Sequence, residues 1–494
     1  MSHPDSAPQT DAFLRLYEIA ARANLAEVEA ELARIPAQRR IREPGALALR
    51  AVRSILQGDP QGGVALLRRT VASESGDTRA FLVDLLVPVL VTAGAYDEAE
   101  ELLAECVDPP EAIAPSLLAA RAALAARTGR DAESRAFAGA ALTDARLIDW
   151  PIMVARVMQR VSLAAFYRED FGEAQERGLE AARMHERLDS FRTAALAYSV
   201  LYVIAYSSAA DLDMARFYAE RVSLNAKRGG DESMQNYGLV LQLHIAAESG
   251  DRRRLGSIRA RLMANPMHEQ YRERLAFIIS EALLAGWSER FDSATAALVS
   301  LQDGEVRIRG DRALCTALLS LAAAANWKLD EARRLARRAI SESVQQRGHE
   351  AKFETRARVI ARFLASATCY LVGDASRGQR ALSAAFDPQG IFRASLSANG
   401  VDPAQIPPLM RGYALYVNAA FASARRFVPV HGLTQVENEV LRVLPTGVTI
   451  ARIAADRGKS RKTIERQVES IYAKFGVRNR IEAINKAREL GILK

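Results

Sequence analysis

The chain is 494 residues long, 49% apolar but only 6% aromatic, with a net charge of +8. That length allows two to four average domains, or one repeat array plus a small domain, and an alanine-rich apolar half favours close-packed helices over sheets. Three widely spaced cysteines (Cys106, Cys315, Cys369) give neither a disulfide framework nor a zinc pattern and fit a reducing cytoplasm. The polar N-terminus lacks a signal core, and the most apolar run, near Leu82 to Ala95, is broken by Asp84 and Pro88, so no membrane is expected.

From Asp11 to about Ala385 the pattern is helical, with Pro and Gly confined to the gaps between helices. A short phrase recurs: an aromatic or Leu, then Asp or Gly, one residue, then Ala. It stands at Tyr96-Asp97-Glu98-Ala99, Phe171-Gly172-Glu173-Ala174, Leu212-Asp213-Met214-Ala215, Phe291-Asp292-Ser293-Ala294 and Leu329-Asp330-Glu331-Ala332, with degenerate copies beginning at Gly58, Gly129, Gly250 and Gly373. Ala174 to Ala215 is 41 residues, Leu255 lies 40 further, Ala294 39 further and Ala332 38 further. A period near 40 with two helices per unit signals an α-solenoid, in which the phrase's alanine lets the second helix close on the first. These units resemble tetratricopeptide-like repeats.

Within the array, Tyr198, Tyr202 and Tyr206 stand at i, i+4 and i+8, and the next unit supplies Tyr237 and His244. Two readings stay open. The stripe is helix-to-helix packing with each hydroxyl bonded locally, or it is the wall of a ligand site on the concave surface.

Asn399 to Pro408 is rich in turn formers, a further helix is expected over Leu409 to Ala424, and 425–432, with Pro429 and Gly432, reads as a linker. Beyond it, Thr434 with Glu437 forms a capping box. Val436, Val440, Val443 and Leu444 follow at helical spacing until Pro445 and Gly447 stop the run. A second helix starts after Thr449 and carries Ile450, Ile453 and Ala454. Gly458 makes the turn, and Ser460 caps a third helix through Phe475. Two helices joined by a short Gly-containing turn are the helix-turn-helix arrangement, whose second helix enters the DNA major groove. At 100° per residue Ile464, Val468, Ile471 and Phe475 face a core, while Lys462, Arg466, Glu469 and Ala473 face the other way with Glu465 at the edge. Residues 433–494 hold 13 Lys+Arg against 7 Asp+Glu, a net of +6, and the other 432 residues net only +2. The basic excess is the electrostatic footprint of a phosphate-binding module.

Leu433-Thr434, Glu437, Glu439-Val440-Leu441, Gly447, Ile453-Ala454, Ser460, Thr463-Ile464, Ile471-Tyr472, Lys474, Gly476-Val477, Arg480 and Ala483 resemble the LuxR-type (GerE-like) DNA-binding domain. The resemblance implies four helices, with the third reading DNA and the fourth, Arg480 to Leu490, contributing to dimer contacts. The chain departs from the family at Gln467, where His is usual, and at Glu465 and Glu469, where basic residues are common. Glu accepts a hydrogen bond from cytosine N4 but repels phosphate, so base preference does not carry over. The candidate DNA-contacting set is Lys459, Ser460, Arg461, Lys462, Thr463, Glu465, Arg466, Glu469, Lys474 and Arg480.

The longer repeat resembles that of the maltose-activator (MalT-like) branch of LuxR-type regulators, and the segment Ala385 to Arg393 resembles the end of that branch's repeat region. The branch's nucleotide-binding domain is not expected here. Gly458-Lys459-Ser460 offers only the last letters of a phosphate-binding loop, with Ile453 where its first Gly belongs and no strand before it. The six histidines do not pair at metal spacing and no Gly-x-Ser-x-Gly elbow occurs, so neither enzyme activity nor a cofactor or metal is expected.

The sequence therefore predicts an all-α chain: an α-solenoid of tetratricopeptide-like helical hairpins (11–424), a linker (425–432) and a four-helix LuxR-type helix-turn-helix domain (433–494). The expected partners are double-stranded DNA, a small-molecule or peptide effector, a second copy of the chain in a homodimer and, for an activator, RNA polymerase. A regulator governed by a docked protein, and a scaffold whose terminal domain mainly dimerises, are the rival readings.

Overall fold

The computed structural model describes residues 7–206, 211–264, 275–302, 309–344, 354–382, 396, 401–425, 433, 435–490 and 492–493, with no strand among them. Contacts divide the chain into two compact units. One comprises residues 1–280, 345–357 and 407–412, and the other 281–344, 358–406 and 413–494.

In the first unit each helix packs on its neighbour in the chain: Pro44–Leu56 with Pro60–Ser73, Ala114–Arg127 with Asp131–Ala145, Pro151–Tyr167 with Phe171–Arg187, and Phe191–Ile204 with Leu212–Arg228. Arg309–Ala325 and Leu329–Ser343 form the same kind of pair in the second unit. This consecutive packing makes the array a helical-repeat solenoid. The recurring phrase opens the second helix of a pair, and its alanines Ala99, Ala174, Ala215, Ala294 and Ala332 are fully buried.

The turn inside each pair also repeats. Arg130, Asp170, Asp251, Arg290, Lys328 and Asp374 donate their backbone N–H to the carbonyls of Ala125, Ala165, Ala246, Ala285, Ala323 and Cys369 at 2.8–2.9 Å. This six-to-one bond requires the preceding residue to be left-handed. Gly129, Gly250 and Gly373 supply that conformation without strain (φ 79°, 75° and 80°), whereas Glu169, Glu289 and Trp327 adopt it at φ 63°, 57° and 61°.

The N-terminal helix Ala7–Arg22 departs from nearest-neighbour packing. It lies against Pro44–Leu56, Pro151–Tyr167 and Phe191–Ile204, the first helices of their pairs. Tyr17 sets its ring on Phe81 at 4.8 Å and near Trp150 at 5.9 Å. Past the helix, Leu25 N–H donates to the carbonyl of Gly229 at 3.1 Å, and the Ser190 hydroxyl donates to the carbonyl of Arg22 at 3.1 Å.

Beneath that helix lies a buried charge cluster. The carboxylate of Asp84, with no exposed surface, accepts from Arg156 Nη2 at 2.5 Å, from Arg160, and from the Tyr17 hydroxyl at 2.5 Å. Arg160 also donates to Ser116 Oγ at 2.7 Å. Burial alone raises a carboxyl's pKa, but Arg156 and Arg160 override it and hold Asp84 well below the usual carboxylate range.

The helix expected over 409–424 runs Arg411–Arg425 behind short 3-10 turns at Pro403–Gln405 and Pro408–Met410. Residues 433–493 build their own core from Leu433, Val440, Leu441, Leu444, Ile453, Ala454, Ile464, Val468, Ile471, Phe475, Ala483 and Ala487. Its helices are Gln435–Val443, Ile450–Asp456, Arg461–Phe475 and Arg480–Glu489, as the caps and glycines predict. Val436 is a correction: it stands 42% exposed, because Leu433 fills the core position ahead of Val440. Thr434 of the capping box, the segment Ala385 to Arg393 and residues 426–432 of the linker lie outside the described residues. No helix among the described residues is long and apolar enough to cross a membrane.

Candidate nucleic-acid interface

The turn between Ile450–Asp456 and Arg461–Phe475 is built by three backbone choices. Thr449 accepts from the N–H of Arg452 at 3.3 Å to start the first helix. Gly458 turns left-handed at φ 59°, which lets Lys459 N–H return to the Ala454 carbonyl at 3.0 Å. Ser460 Oγ then accepts from Thr463 N–H at 3.2 Å and caps the second helix. Gly476, at φ 65°, ends it.

Ile464, Val468, Ile471 and Phe475 bury one face of this helix, so the opposite face is fixed outward. Lys459, Ser460, Arg461, Lys462, Thr463, Arg466 and Glu469 are exposed, and Glu465 is half-buried. Arg461 and Glu465 pair with each other at 2.8 Å across one helical turn. Such an exposed pair contributes little and is readily exchanged for another partner. The ammonium of Lys462 and the guanidinium of Arg466 border an open cleft of about 440 Å³, completed by Glu437, Ser460, Thr463, Gln467 and Ser470. Lys459 to Lys462 also surround the helix N-terminus, whose unpaired N–H groups favour an anion.

Two of the sequence-based candidates are placed elsewhere. Lys474 Nζ donates to the buried carboxylate of Glu437 at 2.5 Å, which also accepts from Ser470. Arg480 donates through Nε and Nη2 to the carbonyl of Leu444 at 2.9 and 2.5 Å, closing the end of the preceding helix. Burial pushes up the pKa of the neighbouring Tyr472 phenol, and Arg480 opposes the shift. Both cations therefore fasten the domain to itself. Glu437, Gln467 and Ser470 border the cleft although sequence reasoning did not choose them. Glu437 was read as half of a capping box, and nothing local marks it as an anchor for the third helix. Gln467 brings its Oε1 into the domain without a hydrogen-bond partner.

The family model for bacterial regulatory proteins of the luxR family (GerE) matches residues 431–487. The chain carries a luxR-family DNA-binding domain. No curated protein is similar enough to the chain to count as a match. The luxR-type domain supports a role in DNA binding and transcription regulation.

The aromatic candidates of the repeat region come together away from the luxR-type domain. The helix of Tyr198 and Tyr202 ends at Ile204, and Tyr206 lies in the widened turn beyond it. Tyr202 and Tyr206 stack at 5.6 Å. Tyr198 donates to Glu186 at 3.4 Å, Tyr202 meets His244 Nδ1 at 3.4 Å, and Tyr206 donates to Glu248 at 2.5 Å. Tyr237 packs half-buried against the same core cluster. Burial, helped by Glu186, pushes the Tyr198 phenol up against the pull of Arg221. The hydroxyls of Tyr198, Tyr202 and Tyr206 thus each meet a polar side chain of another helix.

Proposed function

We propose that residues 433–494 read duplex DNA through the exposed face of Arg461–Phe475, while residues 11–424 sense a signal and 425–432 connect the two. The observation that carries this reading is the face itself: Lys462 and Arg466 stand free on the outward side of a helix whose other side is locked into a core. Lys459, Ser460, Arg461, Lys462 and Thr463 are positioned for phosphate, and Arg466, Glu465 and Glu469 for base edges. Lys474 and Arg480 hold the helix in place. A homodimer on paired half-sites matches the way such domains double their contacts. Activation, through contact with RNA polymerase, and a cytoplasmic location follow from resemblance to this class of regulator.

The signal is a small molecule or peptide that favours one presentation of the DNA-binding domains over another. Control by a docked protein is the second reading. It is favoured by Phe217 and Leu224, apolar side chains 46% exposed on the helix Leu212–Arg228. The test is a mobility shift of the full chain on its own upstream region at several salt concentrations. Affinity should fall with salt at a slope of about 0.9 per phosphate contacted. Binding that ignores both salt and an Arg466→Ala change would remove the assigned interface.

A further inference from the structure

The helices Leu329–Ser343 and Ala375–Ala381 are the second helices of consecutive pairs, and both contribute to one cleft. Arg337, Ile340 and Ser341 from the first, and Arg377, Arg380 and Ala381 from the second, line a cleft of about 360 Å³. Such a volume is in the range of small-molecule sites. The arginines around it differ in what they bind. Arg333 pairs with Asp330 and donates to the Val372 carbonyl, and Arg338 pairs with Glu342 at 2.7 Å. Arg377 keeps one contact, Asp374 at 3.0 Å, and is half-buried. Arg337 and Arg380 are exposed on the cleft, and no carboxylate among the described residues reaches either. Both Arg337 and Arg377 are felt at the thiol of Cys369 on the intervening helix, which burial and Asp374 push up to about 11 against their pull.

Three arginines line one cleft, and among the described residues two of them have no counter-charge, a lining that suits a compact multiply charged anion. The planar fork of each matches phosphate oxygens two at a time. Ser341 adds a hydroxyl, and Ile340 and Ala381 add an apolar floor. We propose that this cleft binds a small organic phosphate, its phosphate groups held by Arg337, Arg377 and Arg380 and its carbon skeleton lying on Ile340 and Ala381. Identifying it as the effector site rests on the reading of the repeat region as a sensor.

The probe is inorganic pyrophosphate, titrated into the full-length chain by calorimetry at constant ionic strength, with sulfate and chloride as comparisons. Pyrophosphate should bind more tightly than sulfate. R337Q and R380Q should each weaken it roughly tenfold, the loss expected for one charge-assisted contact. R338Q removes the same charge from the same helix but away from the cleft and should leave affinity unchanged. Equal weakening by R338Q would mean a diffuse field rather than a site, and unchanged affinity in the R337Q/R380Q double variant would place any anion elsewhere. Either result overturns the proposal, as does loss of DNA affinity in that double variant with no pyrophosphate binding, which would make the cleft a nucleic-acid contact. Pyrophosphate binding that depends on Arg337 and Arg380 but leaves DNA affinity untouched would keep the site and defeat the sensor reading.

Discussion

Lys474 and Glu437 meet at 2.5 Å, an ammonium of the helix Arg461–Phe475 on a carboxylate only 5% exposed in the first helix of the domain. The pair sets the pitch of one helix against another. Lys474→Ala leaves that carboxylate buried with one partner fewer. A cost of roughly 1–3 kcal/mol in domain stability is expected, with base preference unchanged. Urea denaturation alongside a binding-site selection checks both halves. A changed preference at normal stability would return Lys474 to the DNA-contacting set.

Arg466→Ala should lose roughly 1–3 kcal/mol of binding and relax preference at one base position. Lys462→Ala should instead weaken all sequences about equally and reduce the salt slope by about 1. Selection experiments on both variants and on Glu469→Ala separate the roles. Unchanged preferences for Arg466→Ala and Glu469→Ala together would mean that the helix presents another face.

Removing the Asp84 carboxylate leaves Arg156 and Arg160 buried and uncompensated. Asp84→Ala should therefore cost about 3–5 kcal/mol, against about 1.5–3 kcal/mol for Tyr17→Phe, which removes a single hydrogen bond to the charged carboxylate. Thermal or urea unfolding of the full chain measures the difference. Equal, small effects would show the cluster relaxing around water.

His185 has no exposed surface, and burial, with Arg156 nearby, pulls its pKa from 6.5 down to about 3. The folded chain therefore keeps this imidazole neutral while the unfolded chain protonates it below 6.5. Its contribution is whole at neutral pH and is lost as pH falls through that window, by up to about 1.4 kcal/mol per unit. Between pH 7.5 and 5 His185→Leu should remove roughly 2 kcal/mol of acid destabilisation. Identical pH dependence in the two proteins would contradict a buried neutral imidazole.

What the sequence discloses is what neighbours in the chain decide. Ser460, Gly458 and Gly476 set the ends of the third helix through local bonds, so its position and buried face are readable from spacing. The alanines of the repeated phrase are readable for the same reason, since each sits at a fixed offset from a turn. The Lys474–Glu437 pair is not readable from spacing, because the partner is 37 residues upstream. Asp84 looks like no more than a break in an apolar run, because its arginines lie 72 and 76 residues away. The Arg337–Arg380 cleft falls between these cases. Its two helices occupy equivalent places in consecutive units, so the period aligns them, but only packing shows which arginines lack a carboxylate.

The N-terminal helix has a consequence for how the protein is made. Its residues leave the ribosome before Asp84, Trp150, Ser190 and Gly229, against which this segment settles. Repeat pairs close as soon as each is synthesised, because they need only their neighbours. Tyr17 and Leu25 must wait for more than half the first unit to emerge, some tens of seconds or less at about 5–20 residues per second. Until then the helix has only its nearer contacts, chiefly with Pro44–Leu56. Its docking is the step that turns a row of separately formed hairpins into one cooperative block.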